Sequence, residues 1–179
     1  MKFYKQKIQG VYLIEPTSFS DDRGVFRRHF CDSEFGEHGI LTDVRQSNVS
    51  ENRYAHTLRG FHYQTSPYSE GKTMSCLKGS MYDIIVDLRP ESLTYMDWIS
   101  FELNEDNRNS IHIPPGCANA FMTLEDKSLI HYYCSQSYNP EAEKGIRYND
   151  LAFQFEWPFE PAVISEKDLH HPNYFNDKK

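Results

Sequence analysis

The stretch KTMSCLKGSMYDIIVDLR, Lys72 to Arg89, decides how the rest of this chain is read. Two alternating runs flank Lys78-Gly79-Ser80, and a side-chain period of two belongs to strands. Glycine at the break between them predicts a hairpin. In the first run Met74 and Cys76 share a face with Lys72. In the second, Tyr82, Ile84, Val86 and Leu88 form a continuous apolar face, while Asp83, Ile85 and Asp87 alternate with them. That pattern predicts an antiparallel sheet lying between a core and something polar.

Working outward, further short strands are expected at Val11–Ile14, Trp98–Leu103, Ser110–Ile113 and Ser128–Tyr133. Turn clusters such as Asn104-Glu105-Asp106-Asn107 and Leu124-Glu125-Asp126-Lys127 separate them. Many short strands with little helical periodicity predict an all-β fold, an antiparallel sandwich or jelly-roll barrel. Helix is expected only in short peripheral pieces, Ser33 to His38 and Ser165 to His170. One domain over residues 1–179 is expected, with Asn176-Asp177-Lys178-Lys179 as a frayed tail.

Composition supports this frame. Aromatic residues make up 15% of the 179-residue chain and all hydrophobic residues only 39%, so apolar surface comes in large rings suited to pleated sheets. A net charge of −7 argues against nucleic acid or an anionic membrane as partner, but not against a small anion held by a local cluster of basic groups. The four cysteines, Cys31, Cys76, Cys117 and Cys134, lie far apart and form no CxxC pair, so a reducing cytoplasm is expected. No run of eighteen apolar residues suggests a spanning helix.

Chemistry concentrates around LRGFHYQ, Leu58 to Gln64. In a regular strand His62 and Gln64 share a face with Leu58 and Gly60, so Arg59 points the other way unless the strand departs from regularity at Gly60. Further on, Ile113-Pro114-Pro115-Gly116-Cys117-Ala118-Asn119 supplies the P-x-G turn that, in jelly rolls of the cupin type, precedes a histidine metal ligand; here that position is Asn119. Gln64 stands where a second histidine would. A divalent site needs three or four converging imidazoles and carboxylates, so a metal reading loses two ligands at once. His62, Lys72, Asp83 and Tyr132 remain as a polar barrel mouth suited to proton transfer. A neutral imidazole can take a proton from carbon beside a carbonyl if a cation stabilises the enolate. Each residue also has a plain alternative: His62 as a structural strand histidine, Lys72 as a solvated strand end, Tyr132 as packing, Asp168 as part of a capping box with Ser165, and Arg23 as a turn arginine.

Taken in order, Asp22-Arg23-Gly24-Val25-Phe26, Gln46-Ser47-Asn48-Val49-Ser50, LRGFHYQ, Tyr82 to Arg89, Ile113-Pro114-Pro115-Gly116, Tyr138 to Glu143, Gly145 to Asp150 and Ile164 to Asp168 resemble the dTDP-4-dehydrorhamnose 3,5-epimerases. These are cupins that act without cofactor on 4-keto-6-deoxy sugar nucleotides in deoxysugar and surface-polysaccharide synthesis. The resemblance covers most of the chain. It implies that His62 is the general base, Asp168 its carboxylate partner, Lys72 the enolate-stabilising cation, and Tyr132 the acid on the opposite face, with Tyr138 a second pocket tyrosine. Arg23 and Arg59 match diphosphate positions, and Phe26, Gln46 and Asn48 match nucleotide contacts. It also implies a homodimer in which Arg23 serves the neighbouring site, and no metal or other cofactor.

Two departures stand out: Asn119 where the family usually carries histidine, with Asp83 as a candidate partner of that position, and Phe26-Arg27-Arg28 where a carboxylate is common at the third position. They bear on sugar binding, on whether C3, C5 or both are inverted, and on which base is bound. A sugar-nucleotide 3,4-ketoisomerase and a non-catalytic sugar-nucleotide-binding cupin are the alternatives.

Overall fold

The computed structural model of the protein describes residues 1–175; the tail expected at Asn176–Lys179 lies outside the described residues. Two antiparallel sheets face each other. The first sheet contains β1 (Lys2–Lys5), β2 (Tyr12–Glu15), β5 (Gln46–Glu51), β7 (Lys72–Lys78), β10 (Ser110–Ile113) and β12 (Leu129–Cys134), in the order β1-β2-β10-β7-β12-β5. The second has the order β13-β6-β11-β8-β9, from β6 (Thr57–Gln64), β8 (Ser80–Asp87), β9 (Trp98–Asn104), β11 (Cys117–Thr123) and β13 (Glu143–Gly145). The short β14 (Val163–Ile164) runs parallel beside β6. A separate exposed ribbon pairs β3 (Ser18–Asp21) with β4 (Gly24–Arg27). Helix is confined to α1 (Asp32–Gly36) and α2 (Glu166–Leu169). The expected jelly-roll architecture with short peripheral helices is what the chain adopts.

The opening stretch forms both expected strands but not the expected hairpin. β7 pairs with β10 and β12, whereas β8 pairs with β11 and β9, so at Gly79 the chain crosses from one sheet to the other. Alternation reports a strand's faces and is silent about its neighbour. The expected polar surroundings of β8 are also corrected, because both of its faces are buried. Ile85 joins Met74, Cys76, Ile111, Phe121 and Ile130 in the core between the sheets. Ile84, Val86 and Leu88 lie on the outer face, covered by Ile146, Phe153 and, in part, Phe155 and Trp157 of the C-terminal segment. Asp83 and Asp87 are fully buried. Burying a large apolar side chain contributes about 1.5–3 kcal/mol, so covering both sides of β8 anchors the strand that backs the polar cavity. A third apolar cluster, Tyr12, Ile14, Phe35, Ile40 and Tyr133, seats α1 against the first sheet.

Between β6 and β11 the register shifts. Arg59 lies opposite Phe121 and His62 opposite Asn119, so Gly60 and Phe61 together face Ala120. This bulge falls where the departure from regularity was expected. Gly60 has φ +113°, and a Cβ there would lie 2.6 Å from the Asn119 carbonyl oxygen and 2.7 Å from Ala120 Cα. Only glycine allows that approach. The extra residue restores Arg59 and His62 to the same side, and Phe61 turns outward to stack on Phe155 at 4.2 Å between ring centroids.

Candidate active site

A cavity of about 460 Å³ opens at one end of the barrel, lined among others by Arg59, His62, Lys72, Asn119, Tyr132 and Asp168. A second chamber of about 270 Å³ adjoins it, lined in part by Gln46, Asn48, Gln64, Glu70, Tyr138 and Glu143. His62, Lys72 and Tyr132 line both. The polar mouth expected from sequence is therefore present, and it carries nearly all the expected residues.

His62 is set by Asp168, which Gly60 holds in turn. Its Nε2 lies 2.7 Å from Asp168 Oδ1, and the other oxygen, Oδ2, accepts the Gly60 N–H at 3.2 Å. The bulge thus positions both members of the pair. If Nε2 carries the proton donated to the carboxylate, Nδ1 keeps its lone pair free to act as base. Burial pushes the Asp168 carboxyl up, but hydrogen bonds from His62, Gly60 and Ser165 and the attraction of His62 outweigh it and leave the pKa lowered. An ionised Asp168 can then support an imidazolium. The expected helix cap is also present, since Ser165 Oγ accepts the Asp168 N–H at 3.1 Å. The two readings of Asp168 are compatible: its backbone is capped and its side chain serves His62.

Lys72 is not a solvated strand end. Its side chain is 13% exposed, its Nζ donates to Asn119 Oδ1 at 3.2 Å and lies 3.6 Å from Glu70 Oε1. It also stands 5.9 Å from the centre of the Tyr132 ring. Burial raises the Tyr132 pKa, against the opposing charge of Lys72, so the phenol is held protonated at neutral pH and can act as an acid. Lys72 and Tyr132 belong to the first sheet and His62 to the second. A group lying in the cavity between the sheets therefore has the imidazole on one side and the phenol on the other.

Asn119 closes this arrangement from behind. Its amide donates to Asp83 Oδ1 at 2.8 Å, which makes Asp83 the partner of position 119 as anticipated. Burial pushes the Asp83 carboxyl up to about 7, partly offset by the Asn119 hydrogen bond and the Lys72 charge. Asp83 Oδ2 has no hydrogen-bond partner. A neutral amide at 119 thus joins a weakly acidic buried carboxyl to the ammonium of Lys72.

The strand register sets Asn48 beside Tyr132 and Gln46 beside Cys134 at the wall of the second chamber. There Tyr138 donates to Glu143 at 2.7 Å. Arg59 is exposed at the mouth of the larger cavity, with its Nε held 2.9 Å from Asn52 Oδ1. Arg23 and Phe26 are not part of either chamber. They lie on the β3–β4 ribbon, where Arg23 pairs with Asp21 and Phe26 is 71% exposed. Three neighbours were missed: Asn52, Glu70 and His171. Glu70 sits on a loop two positions before Lys72, and only folding reveals its contacts. His171 Nε2 lies 3.4 Å from Asp168 Oδ1. Burial, reinforced by the charge of His62, lowers its pKa.

A family model described as dTDP-4-dehydrorhamnose 3,5-epimerase matches residues 5–176. A dTDP-4-dehydrorhamnose 3,5-epimerase of Methanothermobacter thermautotrophicus is 35% identical over 170 residues, 93% of this chain and 91% of that protein. The crystal structure of dTDP-4-dehydrorhamnose 3,5-epimerase from Elizabethkingia anophelis superposes with a TM-score of 0.94 at 33% identity, covering 100% of this chain and 99% of the other. The dTDP-6-deoxy-D-glucose-3,5-epimerase of Legionella pneumophila, solved in complex with dTDP-4-keto-L-rhamnose, gives a TM-score of 0.90 at 33% identity, over 95% of this chain and 90% of that one.

Proposed function

Because the chain belongs to the dTDP-4-dehydrorhamnose 3,5-epimerase family, we propose that His62, Asp168, Lys72 and Tyr132 carry out the sugar-nucleotide epimerisation of that family in this protein. The enzyme is an isomerase of deoxysugar biosynthesis acting on a nucleotide-linked 4-keto-6-deoxyhexose. The ketone at C4 acidifies the hydrogens at C3 and C5. His62 Nδ1 removes one of them, and the electron pair moves into the C4 carbonyl to give an enolate. Asp168 stabilises the resulting imidazolium, and Lys72 stabilises the oxyanion. Tyr132 returns a proton from the other face, which inverts the carbon. The observation that carries this reading is the 2.7 Å His62–Asp168 pair on one sheet facing Lys72 and Tyr132 on the other.

Arg59 is the diphosphate ligand of this reading, since a guanidinium can bind phosphate oxygens in bidentate fashion. Gln46, Asn48 and Tyr138 line the part of the site that receives the rest of the substrate. Asn119 acts through Lys72 by orienting its ammonium. A homodimer belongs to the same reading: Phe19 and Phe26 are 65% and 71% exposed on the β3–β4 ribbon, which suits pairing with a second copy that brings Arg23 and Phe26 to its cavity. Arg23→Ala should then raise KM with little change in kcat, and ultracentrifugation should find a dimer.

The test of the chemistry is product analysis by NMR after incubation with a dTDP-linked 4-keto-6-deoxy sugar in D2O. Deuterium at C3, C5 or both with inversion supports the assignment. A migrated carbonyl, giving a 3-keto sugar, would overturn it.

A further inference from the structure

Next to the His62–Asp168 pair the structure holds a third donor that the epimerisation does not use. His62, Asp168 and His171 each offer one ligand atom, and these atoms all lie within 4.8 Å of one another. His171 Nε2 is buried, has no hydrogen-bond partner, and stands 3.4 Å from Asp168 Oδ1. The ring is seated there because Gly145, paired in register with His62, lacks the Cβ that would overlap it.

We propose that His62, Asp168 and His171 form a site for a zinc-class divalent cation that silences the enzyme when occupied; the silencing rests on His62 being the base. Two imidazoles and a carboxylate are a zinc donor set, with bonds of about 2.0–2.2 Å. Ligand atoms of a tetrahedral shell then lie roughly 3.3–3.5 Å apart. The His171–Asp168 separation already matches, and the His62–Asp168 contact has to open by about 0.6 Å to reach it. Asp168 Oδ2 stays on the Gly60 N–H, leaving Oδ1 for the ion. The ammonium of Lys167, one position before Asp168, is paired with Glu143 at 2.6 Å. Zinc on Nε2 moves the single imidazole proton of His62 to Nδ1, with no net proton gained or lost. Nδ1 then has no lone pair with which to accept a proton from the sugar.

Titration of the metal-free protein with zinc chloride in a calorimeter tests the site directly, with the visible absorption of cobalt(II) as a second readout. Saturable binding of one ion per chain is expected, weakened at least ~100-fold in both His171→Ala and His171→Gln. Both variants should keep the unloaded turnover and lose its sensitivity to zinc. The absence of saturable binding in the unaltered protein, or binding unchanged in both variants, would overturn the proposal. Zinc bound through His171 with turnover unaffected would overturn the silencing, whereas loss of activity in His62→Ala without zinc tests the base separately.

Discussion

Replacing Gly60 with alanine should destabilise the protein and displace His62 and Asp168 together. At φ +113° a Cβ meets the Asn119 carbonyl oxygen at 2.6 Å, Ala120 Cα at 2.7 Å and Ala120 Cβ at 2.8 Å, and two of these are backbone atoms that cannot swing aside. The backbone conformation costs an alanine roughly 1–2 kcal/mol, and overpacking in a buried place adds about 1–3 kcal/mol. The expected loss is therefore about 2–5 kcal/mol, or ~4–20 °C in Tm for a chain of this size. Gly39 supplies the control: it has φ +70°, and a methyl group added there would meet nothing within 4 Å, so Gly39→Ala should lose only the conformational part, roughly 1–2 kcal/mol. Urea unfolding followed by circular dichroism measures both variants, and turnover measures the effect on the Gly60 N–H that holds Asp168. If Gly60→Ala were no less stable than Gly39→Ala and fully active, the argument that this bulge aligns Arg59, His62 and Asp168 would be refuted.

Asp168→Asn removes an ionised acceptor whose hydrogen bond to His62 is worth about 1.5–3 kcal/mol, so kcat/KM should fall ~10–150-fold with the fold intact; an unchanged steady-state rate would count against the pair. Lys72→Met should lower kcat ~100–1000-fold if the ammonium stabilises the enolate, whereas a change confined to KM would assign it to binding alone. Asp83 gives a pH prediction. Its folded-state pKa of about 7 lies above the ordinary value of 3.8, so the native state loses stability as pH rises from about 4 towards 7 and the loss stays constant above that. Asp83→Asn, whose amide oxygen can still accept from Asn119, should be more stable than the parent at pH 8 and lose that advantage by pH 4. Urea midpoints at the two pH values decide it; a difference that does not change with pH would contradict the assignment.

The strands and the barrel class were legible because alternation survives in β6, β7, β8, β9 and β12. The topology at Gly79 was not. A glycine between two alternating runs serves a hairpin or a crossover between sheets equally well, and the pairing of β7 with β10 and β12 depends on segments far along the chain. β11 was missed as a strand because every one of its residues is buried, leaving no polar face to mark it. Gly60 was legible, since His62 and Arg59 cannot share a face in a regular strand. Family motifs pointed to Asp168, but its contact with His62 spans 106 positions, a separation no local pattern encodes. His171 carries no motif signal, although it stands only three positions after Asp168; its ring packs on Gly145 beside that carboxylate.

The role of His62 is tested most directly by deuterium wash-in from D2O into a dTDP-linked 4-keto-6-deoxy sugar, comparing the unaltered enzyme with His62→Ala by NMR. Deuterium at C3, C5 or both should appear with the unaltered enzyme and fall to the uncatalysed background with the variant. Incorporation by His62→Ala at the parent rate would contradict the account.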